Sequence, residues 1–177
     1  MWTLRPAVKN AIVAALLAGG GSLAVYQSVN PIFEGRCYSA YLDIVGIPTI
    51  CEGWTHGVKL GDVATPDQCD AYSEAAYDDA KQIFDKWVPA SVRESMSPVN
   101  EAAFLLFITN NGPGAPGVKD GFVWLKAGRH STMLRKLQAG DVDGACDEFR
   151  YWANAGGQRV RGLVIRRDDE TGMCQWD

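Results

Sequence analysis

Glu34, Asp43 and Thr49 are the residues of this chain whose types and spacing could do chemistry. Eight residues separate Glu34 from Asp43, and five separate Asp43 from Thr49. A carboxyl kept protonated in a poorly solvated site can donate to the leaving oxygen of a glycosidic bond. A second, ionised carboxylate can face the sugar from the other side, and a hydroxyl can help hold a water between them. Two acids at this separation are common on solvated faces. The third group, set in the aromatic and glycine context of Phe33, Gly35, Tyr41 and Gly46, is what singles the set out.

The elements that must position these groups can be read from local pattern. Residues 31–64 are short segments broken by Gly46, Pro48, Gly53, Gly57 and Gly61, without helical periodicity. Tyr41-Leu42, Pro48 to Cys51 and Val58 to Leu60 read as small strands of a hairpin sheet. That places Asp43 and Thr49 on the sheet and Glu34 at the end of the segment before it. Thr65-Pro66-Asp67-Gln68 is a helix start with a capping box. Cys69, Tyr72, Ala76, Ala80, Ile83 and Trp87 then recur on one face until Val88-Pro89 ends the helix. Ser97-Pro98 opens a second helix, apolar almost all round from Ala102 to Ile108 and so expected at the core. Asn110 to Gly117 is irregular. Ser131 caps a short helix ending near Gly140, and Asp143 is expected to cap the next, which Gly156-Gly157 closes. A last helix runs from about Arg161 toward Cys174.

The N-terminal stretch has a different character. Ala11 to Val29 carries no charge and follows Arg5 and Lys9, so it is long enough to span a bilayer as a helix. Gly19, Gly20, Gly21, Ser22, Gln27 and Ser28 weaken both helix propensity and insertion. A permanent anchor, a signal peptide cleaved after Ala24, and a segment that inserts and later leaves the bilayer are the three readings. The positive flank predicts a cytoplasmic N-terminus and a periplasmic body. The net charge is −4, and removing Arg5 and Lys9 leaves −6 for residues 31–177, which argues against nucleic acid as a partner.

The Glu-x8-Asp-x5-Thr pattern, with Glu34-Gly35 at its head and Thr49-Ile50 near its end, resembles the tailed-phage lysozymes of glycoside hydrolase family 24. Ser131 to Asp141, Phe149 to Trp152, Gly156-Gly157 and Gly162 to Arg167 extend the resemblance over residues 33 to 176. It implies an α+β lysozyme fold: a sheet lobe over about 31–64, a linking helix over about 65–88 and a helical lobe over about 89–177, preceded by a membrane segment over 1–30. It further implies a monomeric endolysin that hydrolyses the β-1,4 bond between N-acetylmuramic acid and N-acetylglucosamine in peptidoglycan, with inversion. Glu34 is then the general acid, and Asp43 and Thr49 position or activate the water. The N-terminal segment resembles the signal-anchor-release segments of the secreted branch. Through residues 11–29 the enzyme would be tethered inactive to the host inner membrane, facing the periplasm, and become soluble there on release. The alternatives are a lytic transglycosylase or chitinase-like glycosidase of the same fold, or a membrane-anchored murein-binding protein without catalysis.

The chain departs from the family where Cys51, Glu52, Gly53 and Trp54 replace the usual glycine, aromatic, glycine and histidine. Glu52 reads as an exposed strand residue, His56 as packed or solvated, and Phe122 and Trp124 as buried rather than stacked on sugars. Of five cysteines, Cys146 with Cys174 and Cys51 with Cys69 are the favoured disulfides, with Cys37–Cys51 the competing pair. No cysteine cluster or His/Asp set has metal-ligand spacing, and no cofactor is expected.

Overall fold

The computed structural model describes residues 4–43 and 46–176. The chain opens with two helices, α1 (Pro6–Leu17) and α2 (Ser22–Glu34), followed by a hairpin of β1 (Cys37–Leu42) and β2 (Pro48–Cys51). The long α3 (Pro66–Trp87), the short α4 (Ala90–Arg93) and the central α5 (Pro98–Asn111) come next. Beyond an irregular stretch lie α6 (Thr132–Gln138), α7 (Val142–Cys146), a 3-10 turn at Phe149–Tyr151, the two-residue strands β3 (Asn154–Ala155) and β4 (Gln158–Arg159), and α8 (Arg161–Cys174).

The all-apolar stretch of α5 becomes the centre of the core. Every residue from Ala102 to Ile108 is buried, and α2, α3 and α8 pack around it. Phe84, Phe104, Phe107 and Phe149 interlock there with ring centroids 5.3–5.8 Å apart, the spacing that aromatic pairs favour. Both strong helix starts carry complete capping boxes, Thr65 with Gln68 and Ser97 with Asn100. The C-terminal elements are joined by Cys146–Cys174, and β2 is stapled to α3 by Cys51–Cys69. Those are the two favoured pairings, and Cys37 is free and exposed.

The N-terminal stretch is not one helix. Gly19 sits at φ +74°, and a Cβ on Gly20 would lie 2.4 Å from the Ala24 Cβ and 2.9 Å from the Ala15 carbonyl oxygen. The glycines therefore make a tight corner that folds α1 back on α2. Val8, Ile12 and Ala15 of α1, with Val25, Tyr26 and Val29 of α2, are buried in the main core. Among the described residues no helix is long and apolar enough to cross a membrane.

Three local expectations need correction. Val58 to Leu60 is not a strand; it is irregular and enters a turn at Leu60, and β1 is met instead by a single bridge from Val63 to Ser39. The cap of α7 is Asp141, whose carboxylate accepts from the Gly144 N–H at 2.9 Å, two residues before the expected Asp143. Gly156-Gly157 does not close a helix but turns the β3–β4 hairpin, both glycines at positive φ.

If α1 belongs to the folded body, its buried and exposed faces must respond differently to truncation. Ile12→Ala, at a fully buried position, is expected to cost about 2–5 kcal/mol in urea unfolding. Leu17→Ala, at a position 84 % exposed, should change stability by no more than about 0.5 kcal/mol.

Candidate functional site

Glu34 is the last residue of α2. Gly35 follows at φ +75°, and its N–H closes on the Pro31 carbonyl, so the chain leaves the helix sharply with the Glu34 side chain at the exit. The buried face of α2 holds this helix end against α5. Glu34 remains part-exposed, 28 % by side chain, and its Oε1 accepts a hydrogen bond from Arg166 Nη1 of α8.

Arg166 is the centre of a buried charge network. Its side chain is 8 % exposed, and the guanidinium lies 4.9 Å from the Phe33 ring centroid and donates through Nε to Glu170 at 3.0 Å. Arg167, fully buried, donates to the other Glu170 oxygen at 2.6 Å and to the Asn110 amide oxygen. Burial acts against the charge of Arg166, but the Glu170 and Glu34 carboxylates outweigh it and raise its pKa. Asp169, one residue before Glu170 and 1 % exposed, accepts from both the backbone N–H and Nε of Arg5. The N-terminal arm thus adds a second ion pair beside this network, and Arg5 also packs on the Phe33 ring, 5.8 Å from its centroid.

Asp43 and Thr49 belong to the hairpin. Asp43 follows the end of β1; its N–H donates to the Ile47 carbonyl at 3.0 Å and its Oδ1 accepts from the Ile47 N–H at 2.8 Å. Thr49, on β2 and 3 % exposed, donates its hydroxyl to the same Ile47 carbonyl at 2.9 Å. Ile47 thus ties the two groups into one turn. Glu34 stands apart from that turn in its hydrogen bonding. It lines an open cavity of about 450 Å³ with Arg5, Phe33, Asn110, Leu163 and Arg166, a lining to which neither Asp43 nor Thr49 contributes.

Asn110 and Leu163 also line a second cavity of about 570 Å³, so the depression at Glu34 continues along the helical side. Its walls bring together Asn111, Asp120, Thr132, Tyr151, Trp152 and Asn154. Polar side chains between aromatic planes suit a sugar chain, which offers hydroxyls at its edges and C–H groups on its faces. Sequence reasoning missed Asn110, Asn111 and Tyr151 as site residues. The available signal was an Asn-Asn pair at the end of an otherwise apolar helix, and Tyr151 beside Trp152.

The region of departure around Glu52 is not as expected. Its side chain is 3 % exposed rather than solvated, and Oε1 accepts from Arg36, which also donates to Asp70 at 2.8 Å. The turn after Cys51, itself at φ +55°, carries the side chain inward. Trp54 stacks on Tyr72 with centroids 5.1 Å apart and planes within 6°, while His56 is exposed and packs edge-on against Trp54. Phe122 is fully buried, and Trp124 is half-buried between Trp87 and His130. Cys51, Glu52 and Cys69 lie close enough to suggest a metal site, but the two sulfurs are bonded to each other and Arg36 holds the carboxylate.

The network around Arg166 makes a definite demand. Arg166→Met, which keeps the bulk and removes the charge, strands Glu34 and half of Glu170. A loss of about 3–5 kcal/mol in urea unfolding is expected.

Comparison with known proteins agrees with this architecture. The family model for phage lysozyme matches residues 31–170. A SAR-endolysin of Enterobacteria phage P21 is 33 % identical over 98 % of both chains. Another, from Pseudomonas phage phiKMV, is 32 % identical over 88 % of this chain and 89 % of its own. Among solved structures, the active form of the P1 phage endolysin Lyz superposes with a TM-score of 0.72 at 22 % identity, covering 97 % of this chain and 95 % of that one. The secreted inactive form of the same endolysin gives 0.51 at 18 % identity over the same shares. With its mixed helical and small-sheet fold and a family match over most of its length, the chain belongs to the phage lysozyme family.

Proposed function

We propose that this protein is a phage endolysin that hydrolyses peptidoglycan for host lysis, cutting the β-1,4 bond between N-acetylmuramic acid and N-acetylglucosamine. The observation that carries the reading is Glu34 itself. A part-exposed carboxyl stands at the exit of a buried helix, is gripped by a buried arginine, and opens on a cavity continuous with a polar and aromatic groove.

In this mechanism Glu34 acts as the general acid through Oε2 while Oε1 accepts from Arg166, and it delivers a proton to the glycosidic oxygen. Donation of that proton to the glycosidic oxygen breaks the bond to the anomeric carbon and leaves a carboxylate, which Arg166 stabilises in place. A water attacks from the opposite face, giving inversion. Asp43 takes the proton of that water. Thr49 acts through the turn that presents Asp43, since its hydroxyl binds the carbonyl that also receives the Asp43 N–H. The sheet lobe of about 31–64 and the helical lobe of about 89–177 are then the two walls of the cleft, with the helix of about 65–88 between them.

Residues 11–29 are read as a segment that first tethers the enzyme to the inner membrane and then joins the body as a soluble periplasmic monomer. Support comes from the SAR-endolysin names of the relatives, which align over nearly the full chain, and from the closer match to the active than to the secreted inactive form of the P1 endolysin. The burial of Val8, Ile12, Val25 and Val29 fits the state after release.

Glu34→Gln should lower the rate of clearing of purified Gram-negative murein by about 10²–10⁴-fold, the range expected for loss of a general acid. Unchanged clearing rejects the site. Mass analysis of the fragments separates the chemistries, because a transglycosylase releases a product lighter by one water. For the tether, fractionation of expressing cells should find the protein in the membrane pellet, with transfer to the periplasmic fraction when the membrane is depolarised. A protein soluble at every stage would reject the tethering reading.

A further inference from the structure

Among the described residues, three buried side-chain oxygens without a hydrogen-bond partner point to one place. Asn30 Oδ1 on α2, Glu52 Oε2 after β2 and Ser73 Oγ on α3 all belong to residues lining a cavity of about 60 Å³. Asn30 and Ser73 are 2 % and 3 % exposed, and the Glu52 side chain is 3 % exposed. Asn30 Oδ1 and an ionised Glu52 Oε2 only accept, while the Ser73 hydroxyl can both donate and accept, so the cluster favours an occupant that donates. The space is sufficient for roughly four water-sized groups.

Charge narrows the class. Glu52 is the one charged group among the residues lining the cavity, and Arg36 binds only its other oxygen. A carboxylate oxygen facing the space disfavours an anion. With one carboxylate oxygen, one amide oxygen and one hydroxyl, the set is also poor for a divalent metal, which needs more oxygen ligands. The indole of Trp54 and the ring of Tyr72 complete the wall, and aromatic faces attract cations. The cavity also has an approach. Gly53, Trp54, Ala76 and Thr109 line both it and an open depression of about 210 Å³, whose further walls include Ile83 and Ile108 and whose rim carries Asp79.

We infer that the cavity walled by Asn30, Glu52 and Ser73 is a binding site for a primary ammonium group, which its orphaned acceptor oxygens receive as hydrogen-bond donors. The group is either the free ammonium ion or the end of an alkyl chain lying in the apolar approach. The inference does not depend on the cleavage reaction, and its test does not use lysis.

The full chain would be melted in ammonium, n-butylammonium, sodium and tetramethylammonium chloride at matched ionic strength. Ammonium and n-butylammonium should raise Tm in a saturable way above the sodium and tetramethylammonium baselines, by about 3–5 °C at ten times Kd. A larger effect of n-butylammonium assigns a tethered amine; an equal or smaller one assigns the free ion. Glu52→Gln and Ser73→Ala should each erase the difference, and Glu34→Gln should keep it. If either cavity variant fails to fold, titration of the wild type with the same salts should shift the Asn30 side-chain amide resonances in proportion to the rise in Tm. Equal melting in all four salts would overturn the site in favour of bound water. An equal rise with sodium would overturn it in favour of an unselective cation.

Discussion

Arg166 is the group on which the rest of this structure depends. A guanidinium withdrawn from water is expensive, and here the expense is met on several sides at once: the acid Glu34, the buried Glu170, the Leu106 carbonyl at the core of α5, and the face of Phe33. The partners come from α2, from α5 and from α8 itself. The ion pair that aims Glu34 therefore also fixes the end of α2 and the position of α8 against α5. Positioning of the acid and packing of the body are the same contact seen from two sides, which leaves little room for Glu34 to drift while the fold is intact.

The same economy explains α8. Its sequence, with Arg166, Arg167, Asp168, Asp169 and Glu170 in succession, has no apolar stripe, yet Arg166, Arg167, Asp169 and Glu170 are all buried. Such a run reads as a solvated face because charge and burial usually oppose each other. What permits burial here is partnership: Arg167 with Glu170 and Asn110, and Asp169 with Arg5, which lies 164 positions away along the chain. No local pattern announces a partner at that distance.

Elements governed by local rules were, by contrast, legible. The capping boxes at Thr65 and Ser97, the all-apolar core of α5, and the limits of α8 from Arg161 to Cys174 follow from short-range chemistry and appear as read. The two favoured disulfides are also present, Cys51–Cys69 over the competing Cys37–Cys51, a choice set by tertiary contact rather than by local chemistry. Glu34, Asp43 and Thr49 were singled out by spacing, but spacing could not reveal that Asp43 and Thr49 share the Ile47 carbonyl, nor that Glu34 accepts from Arg166. Glu52 was misread because a glutamate in a glycine-rich strand normally faces water; the inward turn at Cys51 and the cation of Arg36 are tertiary facts. The uncharged stretch from Ala11 to Val29 was readable as apolar. Its corner was not, because three glycines in sequence signal flexibility without signalling direction.

That corner has a geometric consequence. At 1.5 Å per residue, the 12 and 13 residues of α1 and α2 give rods of about 18 and 20 Å, each well short of a hydrocarbon core of about 30 Å. Straightened through Gly19–Gly21, the same residues would be long enough. Bent, they are two walls of a globule; straight, they are one strut, and no intermediate shape does either task. Any bilayer-spanning state of this segment must therefore withdraw Arg5, Val8, Ile12 and Tyr26 from the body together. Membrane and fold would compete for one stretch of chain, so the choice between them is all-or-none by length alone.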